Sequence, residues 1–308
     1  MNMKITNIMI LGANGFLGSS LVRYLSDVKN IHLTLFDSVP TKFDKYRVIV
    51  DNIENINQYE EILKEQDFIV NFIGKSGALS GFDVFEDFVQ TNEIGMLRLL
   101  DSIKDYKDKP KIIFPSSRLV YSNDVVNPIV EDSEKMPLSI YGINKLSIEQ
   151  YLNAYSNFYG VEFLVLRISI PFGYSENLHN EYGIINNMIA SVRKGKEITI
   201  FGDGAQKRDL IYIRDLMEVI YLSIKNFKIL KNEIYNAGGS FIYSINESAN
   251  IIIKKIGKGK IIYKDWPKEY RKLETGDSFL NSTKLYDKIN YKPKYSLEMG
   301  LDNISKLH

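Results

Sequence analysis

The stretch that constrains this chain most runs from residue 5 to residue 27. "ITNIMIL" (5–11) is a near-continuous apolar run of the kind that forms a strand buried on both faces. It breaks at "GANGFLG", which places Gly12, Gly15 and Gly18 at every third position. "FLGSSLVRYLSD" (16–27) then takes a helical period, with Leu17, Leu21 and Leu25 on one stripe. A strand that turns through glycines into a helix gathers unpaired N–H groups and the positive end of the helix at one point, and the absent side chains let a pyrophosphate approach. A purely structural turn would use the same glycines, so the next element matters. "IHLTLFD" (31–37) reads as a second strand, and Asp37 ends it 19 positions beyond Gly18. An acid there accepts both ribose hydroxyls of an adenosine and repels a 2′-phosphate. This favours NAD over NADP, although Lys42 lies close enough in sequence to serve NADP.

The alternation continues. "DFIVNFIG" (67–74), "KIIFPSS" (111–117) and "VEFLVLRIS" (161–169) read as strands, each preceded by a helix-like segment at 57–65, 84–104 and 141–158. Strand and helix alternating over about 170 residues predict an α/β fold, a doubly wound parallel sheet of Rossmann type. Beyond residue 170 the pattern loosens into a glycine-rich "FGDGAQKRD" (201–209), a strand-like "NEIYNAGG" (232–239) and a tail containing Pro267 and Pro293. That suits a second, smaller substrate-binding lobe. The expected division is a dinucleotide-binding domain of residues 1–170 plus 211–240, and a lobe of residues 171–210 plus 241–308.

Composition removes several classes. A formal charge of +1 lacks the clustered positive excess that nucleic acid demands. Zero cysteines exclude disulfides, thiolate metal sites and cysteine nucleophiles, and agree with a cytoplasmic location. His32, His179 and His308 have no paired-ligand spacing, so no catalytic metal is expected, and His32 and His179 read as bystanders. The opening apolar run is too short for a signal segment, and no later stretch reaches the roughly 18 apolar residues of a membrane span.

"SIYGINKLSIEQYL" (139–152) places Tyr141 and Lys145 four apart, on one helical face. Spacing alone decides little, because Tyr221 and Lys225 repeat it. With the glycine turn on the first strand and Tyr-x-x-x-Lys about 125 residues later, however, the chain resembles the extended short-chain dehydrogenase/reductases. Within them it is similar to the NAD-dependent nucleotide-sugar epimerase/dehydratase family, over nearly its whole length. The resemblance implies cofactor contacts from Gly12, Asn14, Gly15, Phe16, Leu17, Gly18, Asp37, Asp51 and Asn52. It implies further ones from Phe72 and Gly74 in "NFIG", Asn92 in "TNEIG", Tyr141, Lys145, and Pro171 in "RISIPFG" (167–173). It maps the catalytic hydroxyl onto Ser117 in "SSRLVY", and a phosphate-binding arginine onto Arg208 in "GDGAQKRDLIYIRD" (202–215). Ser117, Arg118, Ser169, Arg208 and Arg271 are the candidate substrate contacts.

In this scheme Tyr141 moves the proton of the sugar hydroxyl, Lys145 supplies a cation that favours the phenolate, and Ser117 orients the reacting oxygen. Plainer roles stand beside these. Ser117 and Asp51 each suit a strand end, Asn92 a buried amide satisfying backbone, and Arg208 a surface ion pair. Phe72, Phe172 and Tyr174 suit a core as well as a nicotinamide pocket. Arg118 would meet a substrate anion or turn to solvent.

The reaction follows from what is missing. The 4,6-dehydratases of the family carry an Asp-Glu pair just after the catalytic hydroxyl, where this chain has Arg118 and Leu119. The 3,5-epimerising members need a cysteine. Hydride and hydroxyl-proton transfer remain, so the expected activity is an NAD-dependent nucleotide-sugar 4-epimerase. A nucleotide-4-keto-sugar reductase, a uronic acid sugar decarboxylase and a non-catalytic dinucleotide sensor are the alternatives. Two departures bear on the substrate: Ile170 replaces an asparagine of the family, and Glu274 stands where a second phosphate-binding arginine would fall, with Arg271 nearby. The resemblance also implies a homodimer through the helices at about 84–104 and 141–158.

Overall fold

The structure is a computed structural model that describes residues 5–174 and 183–305; His179 and His308 lie outside the described residues. Seven strands form one sheet. They are β1 (Thr6–Leu11), β2 (Ile31–Asp37), β3 (Arg47–Val50), β4 (Phe68–Asn71), β5 (Lys111–Ser117), β6 (Phe163–Ile168) and, after an excursion, β10 (Glu233–Ala237). Their order is β10-β6-β5-β4-β1-β2-β3. β1 pairs in parallel with both β2 and β4, β2 with β3, and β4 with β5. The chain therefore starts mid-sheet, winds to one edge, crosses back over β1 and winds to the other. Such a reversal opens a crevice at the strand C-terminal ends, where ligands bind open α/β sheets. The fold class is the Rossmann-type α/β sheet that the alternation predicts.

The apolar runs form the core. Ile8 to Leu11, Ile112 to Phe114 and Leu164 to Leu166 are wholly inaccessible, as strands covered on both faces must be. Helix Gly95–Ile103 lays Met96, Leu99, Leu100 and Ile103 onto this core, beside Ile53 and Ile56. Its Gly95 is required by contact, since a Cβ there would stand 2.6 Å from Ile53 Cγ2.

Some elements differ from the sequence reading. The helix expected at 84–104 is a succession: short helices Ser80–Asp83 and Phe85–Phe88, a π-helical stretch Val89–Ile94, then Gly95–Ile103. The helix expected at 57–65 is a 3₁₀ segment Ile53–Tyr59 running into helix Glu60–Lys64. β3 is the strand that the placing of Asp51 at a strand end implies, although four residues carry too short a pattern to give its bounds.

The chain divides into two compact units. One comprises Met1–Val120, Lys135–Arg167 and Tyr221–Tyr235. The other comprises Tyr121–Glu134, Ile168–Ile220 and Asn236–His308. Residues 121–134, expected in the first domain, thus fall in the second unit, and of 211–240 only Tyr221–Tyr235 falls in the first. Buried Asn236 gives the reason. It accepts from Tyr121 Oη (2.6 Å) and donates to the carbonyls of Ile129 (2.9 Å) and Asn281 (3.1 Å), while its N–H donates to Glu131.

The second unit holds β7 (Ile170–Phe172), β8 (Ile198–Phe201), β9 (Lys207–Tyr212), β11 (Phe241–Ser244) and β12 (Ile261–Lys264). β9 is central in a sheet ordered β11-β9-β7, parallel to β7 and antiparallel to β11. β8 and β12 form a parallel pair. Buried Asp215 fastens the C-terminal segment by accepting from Tyr291 Oη (2.6 Å) and from the N–H groups of Lys294 (3.0 Å) and Tyr295 (2.9 Å).

Candidate active site

The glycine turn is built as a cradle. Gly12 has φ +79°, a left-handed conformation that side chains disfavour, and a Cβ there would meet Ile73 N at 3.0 Å. Gly18 cannot be anything larger, because a Cβ would sit 2.0 Å from the Gly12 carbonyl oxygen. Gly15 caps helix Phe16–Ser26 in extended conformation without a side-chain hydrogen bond. The positive end of that helix selects an anion.

Asp37, at the C-terminal end of β2, accepts from Asn14 N–H (2.8 Å) and Val39 N–H (3.4 Å). The Asn14 amide in turn donates to the Val39 carbonyl (2.9 Å), so turn and acid are fixed to each other. Lys42 stands over the Phe43 ring; burial and the neighbouring Arg23 charge lower its pKa. Asp51 accepts from Asn55 Nδ2 (2.8 Å), Tyr59 Oη (2.8 Å) and Asn52 N–H (2.7 Å), which together lower its pKa. It therefore pins the 3₁₀ segment behind β3, whatever else it meets.

Asn92 lies in the π-helical stretch and is buried. Its Oδ1 accepts from Lys75 N–H (2.7 Å), and its Nδ2 donates to the Lys75 carbonyl (3.1 Å) and to Asn144 Oδ1 (3.1 Å). Both amide hydrogens are used within the protein, so Asn92 acts by holding the loop after β4, which carries Phe72 and exposed Gly74. Asn144 continues the network to Glu93 Oε1 (2.5 Å), which also receives Tyr151 Oη on its second oxygen (2.8 Å).

Tyr141 and Lys145 lie on the helix that packs on β5, which ends at Ser117. Helix Ile140–Tyr159 starts at Ser139, whose hydroxyl accepts from Gly142 N–H (3.1 Å), a standard N-cap. Its first turn lies against the 3₁₀ turn Arg118–Val120, and a Cβ on Gly142 would meet the Leu119 carbonyl oxygen at 2.4 Å. Tyr141 and Lys145 are only 8% and 7% exposed. Lys145 Nζ donates to the Pro115 carbonyl (2.7 Å), 4.3 Å from the Phe114 ring centroid and 5.7 Å from that of Tyr141. Burial brings its pKa down from 10.5 to about 7, against an opposing pull from Glu149. Strand alternation separates the two serines. Ser116 donates to Glu149 Oε1 (2.6 Å), while Ser117 Oγ accepts from Leu119 N–H (3.2 Å) and is not committed to the ion pair beneath. Arg118 is half-buried.

That ion pair was not read from the sequence. Arg167 grips Glu149 through Nε (3.0 Å) and Nη2 (2.6 Å), and both side chains are buried. One signal was available: Glu149 is four residues beyond Lys145, on the same helical face.

The second unit holds the remaining candidates. Ser169 is buried, its hydroxyl without a partner, and Pro171 is buried in β7. Arg208, on β9, donates through Nη1 to the carbonyls of Lys207 (2.8 Å) and Gly276, and through Nη2 to Glu274 Oε1 (2.7 Å). Arg271 is exposed, with its guanidinium 5.9 Å from the Trp266 ring centroid. Phe172 is core, packed on Tyr212 at 5.4 Å.

The family model described as the NAD dependent epimerase/dehydratase family matches residues 8–238. The chain belongs to this family. NAD is accordingly its cofactor, and the tight Gly12–Gly18 turn, which has no room for a Cβ at residue 18, sets the positive end of a helix at the end of β1, which fits the pyrophosphate of such a molecule. A UDP-glucose 4-epimerase of Lactobacillus helveticus is 28% identical over 94% of this chain and 92% of its own length. A Thermotoga maritima UDP-glucose 4-epimerase, solved with UDP-glucose, superposes with a TM-score of 0.87 at 27% identity, covering 98% of each chain. The dTDP-glucose 4,6-dehydratase of Bacillus anthracis, solved in complex with NAD, superposes at 0.82 with 25% identity over 98% of this chain and 96% of its own. Among the described residues, no helix is long and apolar enough to cross a membrane.

Proposed function

We propose that the protein is a nucleotide-sugar 4-epimerase that works through a 4-keto sugar. What supports this reading is the buried Tyr141–Lys145 pair, on the helix whose first turn packs against the turn that follows Ser117. The pyrophosphate would lie on the Gly12–Gly18 cradle, the adenosine ribose against Asp37, and the nicotinamide end over the loop that Asn92 holds. Bound there, NAD supplies the acceptor, and then the donor, of one hydride.

Ser117 Oγ holds the reacting sugar oxygen and points its proton at Tyr141. Tyr141 takes that proton as the carbonyl forms, and returns it when the carbonyl is reduced on the other face. Lys145 favours the phenolate when it is charged, and burial brings its own pKa to about 7. Leu119, in place of an acid, leaves no carboxylate just after Ser117 to abstract a carbon-bound proton, which argues against dehydration despite the dehydratase among the relatives. Arg208, in the second unit, would bind a substrate phosphate. Exposed apolar side chains on the two helical segments, Phe85, Val89 and Ile143, support a homodimer, testable by light scattering.

The test is turnover on UDP-, dTDP-, GDP- and CDP-sugars, comparing the wild type with Tyr141→Phe while following nicotinamide absorbance. Interconversion of C4 epimers without net cofactor consumption is expected, and is lost in the variant. Stoichiometric oxidation of added NADPH would make the protein a ketoreductase instead.

A further inference from the structure

Arg208 reaches the folded state already paired with an anion. Its side chain is 7% exposed and that of Glu274 15%, so the pair is largely withdrawn from water, and a charge-assisted contact there is strong. The guanidinium does not depend on Glu274 for its position. Nη1 is held by two backbone carbonyls, those of Lys207 and Gly276. The segment carrying Gly276 is itself stitched to β9: Lys207 N–H donates to Asp277 Oδ1 (2.7 Å), and Ser278 N–H donates to the Lys207 carbonyl (3.0 Å). Glu274 precedes this stitched segment, in the loop after the short helix Lys268–Arg271, and meets Nη2 alone. Removing its charge would leave the arginine in place and weaken the one contact that holds Nη2.

We propose that Glu274 is a built-in competitor for the phosphate site: the diphosphate of a nucleotide sugar binds Arg208 by displacing the Glu274 carboxylate. This rests on the reading of Arg208 as a phosphate ligand. The competition is intramolecular, so the carboxylate is present at a high effective concentration that no dilution removes. A phosphate binds Nη2 only in the fraction of molecules in which Glu274 has swung away, and apparent affinity falls by that fraction. A carboxylate that stayed would face the phosphate as a like charge, which also opposes binding. Glu274 therefore sets substrate affinity without taking part in the chemistry.

The experiment is calorimetric titration of the NAD-loaded protein with UDP and, separately, with uridine, which lacks phosphates. Glu274→Gln is expected to tighten UDP about tenfold, and Glu274→Arg at least as much, with uridine binding unchanged in both. Melting curves check that each variant is folded. An unchanged or weaker UDP affinity in folded Glu274→Gln overturns the proposal, as does equal tightening of uridine, or absence of UDP binding in wild type and both variants. Arg208→Gln separates the two readings. If it keeps full UDP affinity, the phosphate role of Arg208 fails. If it abolishes binding while Glu274→Gln changes nothing, Arg208 stands and the competitor does not.

Discussion

The chain contains Tyr-x-x-x-Lys at residues 141–145 and again at 221–225, and the structure places both on helices in the same compact unit. The amine lies 5.7 Å from the ring centroid in the first pair and 5.6 Å in the second. Local geometry is the same. What differs is the surroundings: Lys145 is buried against Phe114 and a strand carbonyl, and burial draws its pKa to about 7, whereas Lys225 is exposed and Tyr221 half-buried. A motif of this kind gains chemical meaning from the sheet beneath it, because desolvation there brings the lysine proton near neutral pH.

The sharpest way to break that contrast is to remove each phenol. Tyr141→Phe is expected to lower turnover about 10²–10⁴-fold, the range of a lost general base, with the melting temperature nearly kept. Tyr221→Phe should stay within about twofold. Equal losses from the two would mean that burial is not what separates them. Next in size is Glu149→Gln. It leaves the buried Arg167 guanidinium without its counter-charge, a change that costs about 3–5 kcal/mol in comparable pairs, to be read by denaturant unfolding. Nothing beneath the second pair should show a loss of this size.

These two predictions also mark where the sequence was legible. The glycine turn, Asp37 and the strands at 31–37 and 111–117 could be read because each rests on a local requirement: a turn that excludes Cβ atoms, a strand end, an apolar run. Glu149–Arg167 could not, since the partners come from a helix and a strand 18 residues apart whose packing decides that they meet. Asn92 was placed correctly on a helical segment, but the π-helical turn that aims its amide at the Lys75 backbone has no signature in composition. Arg208 and Glu274 were both singled out by resemblance. That they bind each other across 66 residues is a property of β9 and its neighbouring loop alone.

Lysine titration sharpens the comparison at a smaller scale. An unfolded lysine keeps its proton up to about 10.5, while buried Lys145 releases it near 7. Between those values the unfolded chain holds more protons, so rising pH favours the fold; below about 7 the full cost of burying an ammonium is felt. Lys145→Met is therefore expected to melt about 2–4 °C above the wild type near pH 6.5, with the gap closing toward pH 10. A gap at residue 145 that widens with pH would reverse the assignment.

The smallest effect tests how the first pair is held rather than what it does. Ser139 caps the helix two residues before Tyr141, accepting from Gly142 N–H, and so fixes the turn from which the phenol projects. Ser139→Ala should cost about 1 kcal/mol of stability, the usual worth of an N-cap. Because Gly142 remains wedged against the Leu119 carbonyl, the helix start is over-determined and turnover should fall less than about fivefold. A stability loss with turnover intact would assign the orientation of Tyr141 to packing against the end of β5. A large loss of turnover at unchanged stability would assign it to the cap, and would place the difference between the two pairs in the first helical turn instead of in burial.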